Sequence, residues 1–301
     1  CLAAEKFDKE AGLFLVSGTM ANVVAISTIC EHGDQAIVDP RSHIYNLELG
    51  AISSICGVQP RHFYFENDVY NLDKLKREIV KPDIQRATTS LLCLENSYDL
   101  NQGLAISRDQ IEPVLNIAKE NGMTVYLDGA RIFNTSIALN VPVNKLCDGI
   151  DALSFCLSKG LCCPVGAVLL GTEEFIQKAR RYRQRLGGGW RQAGYLAAAG
   201  IIALNNMVER LSEDHDKAKK LAEAMFSLGL NLKINDVQTN IINLDVSPLK
   251  ISAVEFGKKL LRKKIRVKII DKNRVRMVTH KDVSHNDIDY VIKASKDLFT
   301  H

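Results

Sequence analysis

The chain has 301 residues, of which 46% are hydrophobic and 25% are charged, and its formal net charge at pH 7 is +4. This length suffices for one large or two modest domains with a sizeable core, and the composition is that of an ordinary globular protein. The small net charge gives no support for nucleic acid or an anionic membrane as a partner. No apolar run approaches the ~20 residues of a membrane span. We therefore expect no nucleic acid and no membrane partner.

Eight cysteines are scattered along the chain, several of them inside apolar runs. This distribution predicts reduced thiols in a cytoplasmic compartment rather than a disulfide framework. The Cys162-Cys163 pair lacks CxxC spacing and nearby histidines, so we expect no metal site. The segment Leu2 to Phe7 has the composition of the middle of a helix, and we expect an N-terminal arm, which could carry targeting information, to precede Cys1.

Strand-like and helix-like segments alternate through the first two thirds of the chain. In chain order they are a strand at 12–16, a helix from 17 to about 31, a strand at 35–39, a helix at 43–56, a strand at 90–95, a helix at 111–121, a strand at 124–128, and two apolar strand-like runs at 152–155 and 165–170. Such alternation predicts an α/β fold with a mostly parallel sheet covered by helices. Ligands of these sheets bind at the carboxyl ends of the strands.

The last third of the chain has a different pattern. Helix is predicted from Glu173 to Leu228, interrupted by Gly187-Gly188-Gly189. A smaller α+β unit follows, with strands predicted at 238–246, 266–270 and 274–279 and helices at 253–263 and 284–298. We therefore expect a large domain at residues 1–220 and a small C-terminal domain at residues 221–301.

Two strand ends carry charged residues that have a chemical use together. Asp128 ends the apolar strand TVYLD, and Lys159 follows a second apolar run within SFCLSKGLCCPVG. Pyridoxal 5'-phosphate (PLP) needs a lysine that bonds covalently to its aldehyde and an aspartate that keeps its pyridine nitrogen protonated. Most lysines are solvated, and a strand-end aspartate is often a turn former. The apolar flanks of Lys159 and the presence of both residues favour a PLP site.

Two further segments each have a functional and a structural interpretation. SGTMAN, from Ser17 to Asn22, follows a strand and begins a helix, where free backbone N–H groups favour a phosphate, with the Ser17 or Thr19 hydroxyl assisting. From this motif alone, simple N-capping is the commoner outcome. His43 begins the next predicted helix and is either an exposed helix-start histidine or a group that stacks on the cofactor and moves protons.

In wording and in order, these motifs resemble those of the threonine aldolases, within the β-eliminating lyase group of PLP enzymes. The resemblance runs from KEAGLFLVSGTMAN to MVTHKDVS and covers nearly the whole chain. It implies a PLP-dependent transferase-like fold of type I and retro-aldol cleavage of L-threonine or L-allo-threonine to glycine and acetaldehyde. It also implies threonine catabolism, glycine biosynthesis and a homotetramer with active sites shared between subunits.

The resemblance implies residues for the cofactor. Gly18 and Thr19 are expected to bind the PLP phosphate, together with Ser17, and the Ser158 hydroxyl is a further candidate. Lys159 is the covalent anchor and a catalytic residue.

The resemblance also implies residues for the ring and the substrate. Asp128 pairs with the pyridine nitrogen, and His43 stacks on the ring as a cofactor-binding and catalytic residue. Arg131 contacts the cofactor and helps hold the substrate. Arg276, in RVRMVTH, binds the amino acid carboxylate, for which a planar guanidinium is well suited. The loop LGGGWRQAG, containing Arg191, is expected near a neighbouring subunit's site.

The chain departs from the family pattern at defined positions. Tyr98 stands where the family has a histidine that contacts the β-hydroxyl of threonine, so Tyr98 is a candidate catalytic residue, although a phenol is a poorer general base. Gln184 replaces a lysine, and Cys162-Cys163 replaces Gly-Ala. These departures leave two alternatives: a β-eliminating lyase or an aldolase for another β-hydroxy amino acid, or a catalytically weakened PLP-binding relative.

Overall fold

The computed structural model describes residues 1–66, 69–100 and 103–299, with only the backbone of Glu66. The chain divides into two compact units. The first comprises Cys1–Asn101 and Ile106–Val208, and the second comprises Gln102–Ala105 and Glu209–His301. The domain boundary expected at residue 220 lies inside the helix Leu211–Ser227, which belongs to the second unit.

The first unit contains alternating strands and helices. Its strands are β1 (Ala11–Leu15), β2 (Gln35–Val38), β3 (Gln59–His62), β4 (Phe65–Glu66), β5 (Val69–Tyr70), β6 (Thr89–Glu95), β7 (Thr124–Asp128), β8 (Ala152–Cys156) and β9 (Ala167–Gly171). Its helices are α1 (Leu2–Lys6), α2 (Gly18–Ile29), α3 (His43–Asn46), α4 (Ala51–Ser54), α5 (Leu72–Glu78), α6 (Arg108–Glu120), α7 (Ile132–Leu139), α8 (Val143–Leu146), α9 (Glu173–Arg185) and α10 (Gly194–Asn206).

A mixed sheet organises this unit. Within the described residues its strand order is β1-β9-β8-β7-β6-β2-β3, and β9 runs antiparallel to both of its neighbours while the other pairs are parallel. The residues of β2, β8 and β9 are all buried, as expected for a sheet covered on both faces. The prediction of a mostly parallel sheet with helices is confirmed.

The core of this unit lies between the sheet and its helices. Seven consecutive residues of α2, from Ala21 to Ser27, are buried. Three aromatic rings also pack together in this unit. Phe7 stacks on Phe155 with ring centroids 5.3 Å apart, and Phe133 contacts both rings edge-on. This packing holds α2, β7 and β8 in fixed positions, and these elements carry the candidate site residues.

One predicted helix is wrong in its continuity. The segment expected as a single helix at 43–56 forms α3 and α4, separated by four residues. Leu49 and Gly50 have φ angles of 51° and 69°, in the left-handed region, which a right-handed helix does not include. The predicted strands at 12–16, 35–39, 90–95 and 124–128 are confirmed to within a residue or so at their ends.

The second unit is an α+β structure, as predicted. Its strands are β10 (Ile241–Asp245), β11 (Lys268–Ile269) and β12 (Arg274–Val278), and its helices are α11 (Leu211–Ser227), α12 (Ala253–Arg262) and α13 (His285–Phe299), with 3₁₀ turns at Ile234–Asp236 and Ser247–Leu249. The strands form an antiparallel sheet in the order β10-β12-β11, and its apolar side chains, such as Val275, share a core with helix residues such as Phe256 of α12. None of the helices in the described ranges is both long enough and apolar enough to cross a membrane.

Candidate active site

The carboxyl ends of neighbouring parallel strands bring the predicted site residues of the first unit together. Glu95 ends β6 and is the register partner of Asp128, which ends β7, and Asp128 is in turn paired with Ser154 in β8. Lys159 lies three residues after the end of β8, in a tight turn closed by the Cys162 N–H bond to its carbonyl at 2.9 Å. The sheet topology therefore accounts for the proximity of Asp128 and Lys159.

Asp128 is a buried carboxylate held by amide donors. Its side chain is 3% exposed. Its Oδ1 accepts the Ala130 backbone N–H at 3.0 Å, and its Oδ2 accepts Asn22 Nδ2 at 2.9 Å. Among the described residues, no lysine, arginine or histidine lies within ion-pair distance of Asp128. A buried carboxylate with neutral donors alone retains a strong attraction for a cation placed beside it.

Asn22 is fixed by a second buried residue. The Tyr126 hydroxyl donates to Asn22 Oδ1 at 2.7 Å and shares a hydrogen bond with Ser154 Oγ at 2.9 Å. With its oxygen engaged by Tyr126, the Asn22 amide must turn its NH₂ group towards Asp128. Sequence analysis placed Asn22 in the SGTMAN motif without giving it a role.

His43 begins α3 and is attached to the site by both its backbone and its ring. Its backbone N–H donates to Glu95 Oε2 at 2.7 Å, and its Nδ1 lies 3.0 Å from Glu48 Oε1. The hydrogen bond to Glu48 raises the pKa of His43, against burial. The Asp128 charge also raises this pKa and the Lys159 charge lowers it, which places all these groups close to the imidazole.

Glu48 is a site residue that sequence analysis missed. It lies between α3 and α4 and is 6% exposed, whereas the flanking Leu47 and Leu49 are 48% and 100% exposed. Its Oε1 also accepts Asn22 Nδ2 at 2.7 Å. Burial raises the pKa of Glu48, while the hydrogen bonds that it accepts lower it. The signal for a functional role is a carboxylate buried between two exposed leucines. This signal requires the structure, because the burial of Glu48 follows from the helix break.

Glu95 connects two loops of the site. Its two oxygens accept the backbone N–H groups of His43 at 2.7 Å and of Asp99 at 2.8 Å. Burial raises the pKa of Glu95 to about 8, and the nearby Asp128 charge acts in the same direction.

Tyr98 is buried among aromatic and charged side chains. It is 2% exposed, its ring meets the Phe65 ring with centroids 6.3 Å apart, and the Arg41 guanidinium lies 5.6 Å from its centroid. Burial raises the pKa of Tyr98 well above its usual value, and the Asp39 carboxylate adds to this. A phenol in this environment holds its proton at neutral pH, which argues for a packing role. The predicted catalytic role of Tyr98 stays a prediction.

Arg131 forms a short ion pair with the residue after Tyr98. Its Nη1 lies 2.6 Å from Asp99 Oδ1, with the two side chains 15% and 12% exposed. The turn that precedes Arg131 requires Gly129, because a Cβ there would come within 2.7 Å of the Ser154 carbonyl oxygen. Arg131 therefore lies beside Asp128 on a rigid connection between β7 and α7, as its place in LDGARIFN predicts.

The predicted phosphate residues lie where β8 meets the start of α2. Ser17 is the N-cap of α2, and its side chain accepts the Met20 N–H at 3.1 Å. The N–H groups of Gly18 and Thr19 belong to the first turn and have no acceptor within the helix. A Cβ added to Gly18 would lie 2.9 Å from Cys156 Sγ, so α2 begins against the end of β8. Ser158 follows that strand end and is exposed.

Arg276 belongs to the second unit. It lies in β12, opposite Asn243 of β10 and Lys268 of β11, and is 7% exposed.

Comparison with known proteins decides the family. The family model described as beta-eliminating lyase matches residues 2–247. The chain belongs to the beta-eliminating lyase family. Low-specificity L-threonine aldolase 1 of Arabidopsis thaliana is 38% identical over 96% of this chain and 82% of its own length. Low specificity L-threonine aldolase of Escherichia coli K12 is 38% identical over 95% of this chain and 84% of its own.

Solved structures give the same fold. The threonine aldolase of Leishmania major superposes with a TM-score of 0.83 at 15% identity, covering 99% of this chain and 88% of its own. An aspartate aminotransferase of Thermotoga maritima superposes with a TM-score of 0.74 at 13% identity, covering 99% and 80%. The predicted PLP fold type I is confirmed, and the chain is a PLP-dependent member of the beta-eliminating lyase family.

Proposed function

We propose that this protein is a threonine aldolase that cleaves L-threonine and L-allo-threonine between Cα and Cβ, giving glycine and acetaldehyde. The 38% identity to low-specificity L-threonine aldolases over nearly the whole chain supports this substrate class. The observation that carries the proposal is Asp128, a buried carboxylate at the end of β7 that has no ion-pair partner among the described residues, with Lys159 in the turn that follows the neighbouring strand β8.

The residues of this site fit PLP. A pyridinium nitrogen would supply an ion-pair partner for Asp128, and the N–H groups of Gly18 and Thr19, which have no acceptor within α2, suit a phosphate. The Ser17 and Ser158 hydroxyls flank the same strand end. When bound, PLP supplies an electron sink for the electron pair released from the Cα–Cβ bond.

Lys159 is the proposed covalent anchor for the cofactor aldehyde. It follows the fully buried strand β8, and its amine lies close enough to His43 to affect that residue's pKa. With PLP bound, the Lys159 amine would hold the cofactor aldehyde, and the same amine is the proposed donor of the proton that completes glycine.

His43 is the proposed acceptor of the β-hydroxyl proton and the residue that stacks on the cofactor ring. Its Nδ1 is engaged by Glu48, which leaves Nε2 as the free ring nitrogen. Removal of the hydroxyl proton turns the C–O bond of the substrate into the carbonyl of acetaldehyde as Cα–Cβ breaks. The departure at Tyr98 is compatible with this scheme, because the proton acceptor is a different residue.

Arg131 and Arg276 are the proposed ligands of the substrate carboxylate. For Arg131 the support is its position beside Asp128 and its ordered guanidinium. For Arg276 the support is the sequence match before Met-Val-Thr-His. A bidentate guanidinium would fix the orientation of the substrate carboxylate and so determine which bond at Cα is broken.

We further propose a homotetramer with shared sites, acting in threonine catabolism and glycine formation in the cytoplasm. Apolar side chains exposed next to the site support contact with a second copy of the chain: Tyr45, Leu47, Leu49 and Ile55. None of the eight cysteines, all within the described residues, forms a disulfide, and six of them are buried, which suits a reducing compartment. Sedimentation analysis tests the assembly.

Product analysis with PLP-loaded protein tests the function. Incubation with L-threonine or L-allo-threonine should release acetaldehyde, followed with a coupled alcohol dehydrogenase, and an equal amount of glycine, measured by chromatography. Lys159→Ala is the inactive control, and Lys178→Ala, a substitution at an exposed lysine of α9, is the matched active one. Ammonia and an α-keto acid without glycine would contradict the proposal and identify a β-eliminating lyase.

A further inference from the structure

Glu48 is a buried carboxylate whose position has no explanation in packing. The chain leaves helical geometry after α3, with Leu49 at a φ of 51°, and this break turns Glu48 inwards while Leu47 and Leu49 face outwards. Burying a carboxylate costs free energy that its hydrogen bonds must offset. An inversion of this kind is typical of a residue kept for function.

The hydrogen bonds of Glu48 are directed at the candidate active site. Its Oε1 is 3.0 Å from His43 Nδ1 and 2.7 Å from Asn22 Nδ2. The same Asn22 nitrogen donates its second hydrogen to Asp128 Oδ2 at 2.9 Å. With Tyr126 engaging the Asn22 oxygen at 2.7 Å, the amide has one orientation that satisfies every bond. The result is a continuous network from His43 through Glu48 and Asn22 to Asp128.

We propose that Glu48 is a positioning residue that fixes the ring orientation and the Nδ1–H tautomer of His43 and, through Asn22, ties His43 to Asp128. A carboxylate acceptor at Nδ1 commits that nitrogen as the donor and leaves the lone pair on Nε2. The inference rests on the proposed function only in taking Nε2 as the group that receives the substrate proton.

The charge of Glu48 matters in addition to its shape. The groups that act on the His43 ring are Glu48 and Asp128, which raise its pKa, and Lys159, which lowers it, while Glu95 binds its backbone N–H. Burial alone lowers the pKa of His43, so the carboxylate of Glu48 offsets the cost of charging a half-buried imidazole. His43 can then hold the abstracted proton as an imidazolium.

Two substitutions of Glu48 separate its hydrogen bond from its charge, and a third substitution elsewhere is the control. Glu48→Gln keeps an oxygen acceptor of the same length and removes the charge. Glu48→Ala removes both. Asp39→Asn is the matched control, because Asp39 is also buried at the carboxyl edge of the sheet but bonds to Arg41 and the Phe65 backbone.

The primary measurement is the nitrogen-15 NMR titration of His43 in the cofactor-free chain, with the signal assigned through His43→Asn. The original chain and Asp39→Asn should both have the Nδ1–H tautomer and a raised pKa. Glu48→Gln should keep the tautomer and lower the pKa, and Glu48→Ala should give a mixture of tautomers. An Nε2–H tautomer in the original chain, or an unchanged pKa in Glu48→Gln, would overturn the proposal.

Activity provides an independent second readout. In PLP-loaded protein, Glu48→Ala should lower kcat/KM about 10²-fold, the usual contribution of a positioned base, and Glu48→Gln should shift the acidic limb of the pH profile to lower pH. PLP affinity, measured by fluorescence titration, should change little in Glu48→Gln. If the NMR results hold and no glycine forms from any β-hydroxy amino acid, the positioning role stands and the proposed function fails.

Discussion

The Arg131 guanidinium lies 2.6 Å from the Asp99 carboxylate, and Asp99 directly follows Tyr98. The side chains of these two neighbouring residues contact two different arginines. Tyr98 packs against Arg41, while Asp99 pairs with Arg131 next to Asp128. Asp99, whose backbone N–H donates to Glu95, is therefore in position to orient Arg131, a proposed ligand of the substrate carboxylate.

Asp99→Ala should destabilise the first unit. The substitution leaves the largely buried Arg131 without its carboxylate, and removal of one partner from such a pair costs about 3 kcal/mol of unfolding free energy. Urea denaturation monitored by circular dichroism measures the loss. Asp83→Ala, at the exposed Asp83–Arg86 pair, is the matched control and should change stability far less. Equal losses of unfolding free energy in the two variants would mean that the Arg131–Asp99 pair stabilises the fold no more than an exposed ion pair does.

Tyr98→Phe should preserve activity. The Tyr98 hydroxyl is buried and holds its proton, so its removal should change kcat/KM by no more than about twofold, whereas loss of a general base would cost 10²–10⁴-fold. Steady-state kinetics with L-allo-threonine measures the change. A loss of 10²-fold with unchanged thermal stability would restore Tyr98 as a catalytic residue and contradict the assignment of proton transfer to His43.

Sequence alone predicted the parts of the site that lie at strand ends. Asp128 and Lys159 follow from the rule that parallel strands present their carboxyl ends at one edge, and the sheet bears this placement out. This rule depends only on where the strands end. It therefore does not require the packing of the helices to be known, and an error of a residue or two in the strand bounds does not change the prediction.

The rest of the site depends on contacts between distant parts of the chain. Glu48 was missed because the segment from His43 to Cys56 has helical composition, and the break at Leu49 and Gly50 carries no strong local signal. The pairing of Arg131 with Asp99 joins residues 32 positions apart in the chain, and Asn22 meets Asp128 across 106. No local periodicity encodes such pairs.

Lys159→Ala should abolish the visible absorption of covalently bound cofactor. The alanine variant has no amine at this turn, and kcat should fall by about 10²-fold or more, because the covalent anchor and its proton transfer are both lost. Absorption spectra after dialysis, compared with those of Lys178→Ala at an exposed site on α9, measure the effect. A persistent cofactor band in Lys159→Ala would identify another lysine as the anchor.

Glu95→Gln should reduce the pH dependence of stability in the cofactor-free chain. Burial, with the Asp128 charge, raises the pKa of Glu95 from 4.5 to about 8, so between these values the folded chain holds a proton that the unfolded chain has lost. The unfolding free energy from this group is therefore greatest below pH 4.5, falls as pH rises through the window, and is level above pH 8.

Glutamine resembles the protonated carboxyl and does not titrate. The stability of Glu95→Gln relative to the original chain should therefore improve steadily from pH 5 to pH 8, as measured by urea denaturation at several pH values. Glu120→Gln, at an exposed end of α6, should run parallel to the original chain. If Glu95→Gln also ran parallel, Glu95 would be ionised throughout this range, and its bonds to the His43 and Asp99 backbones would be those of a charged carboxylate.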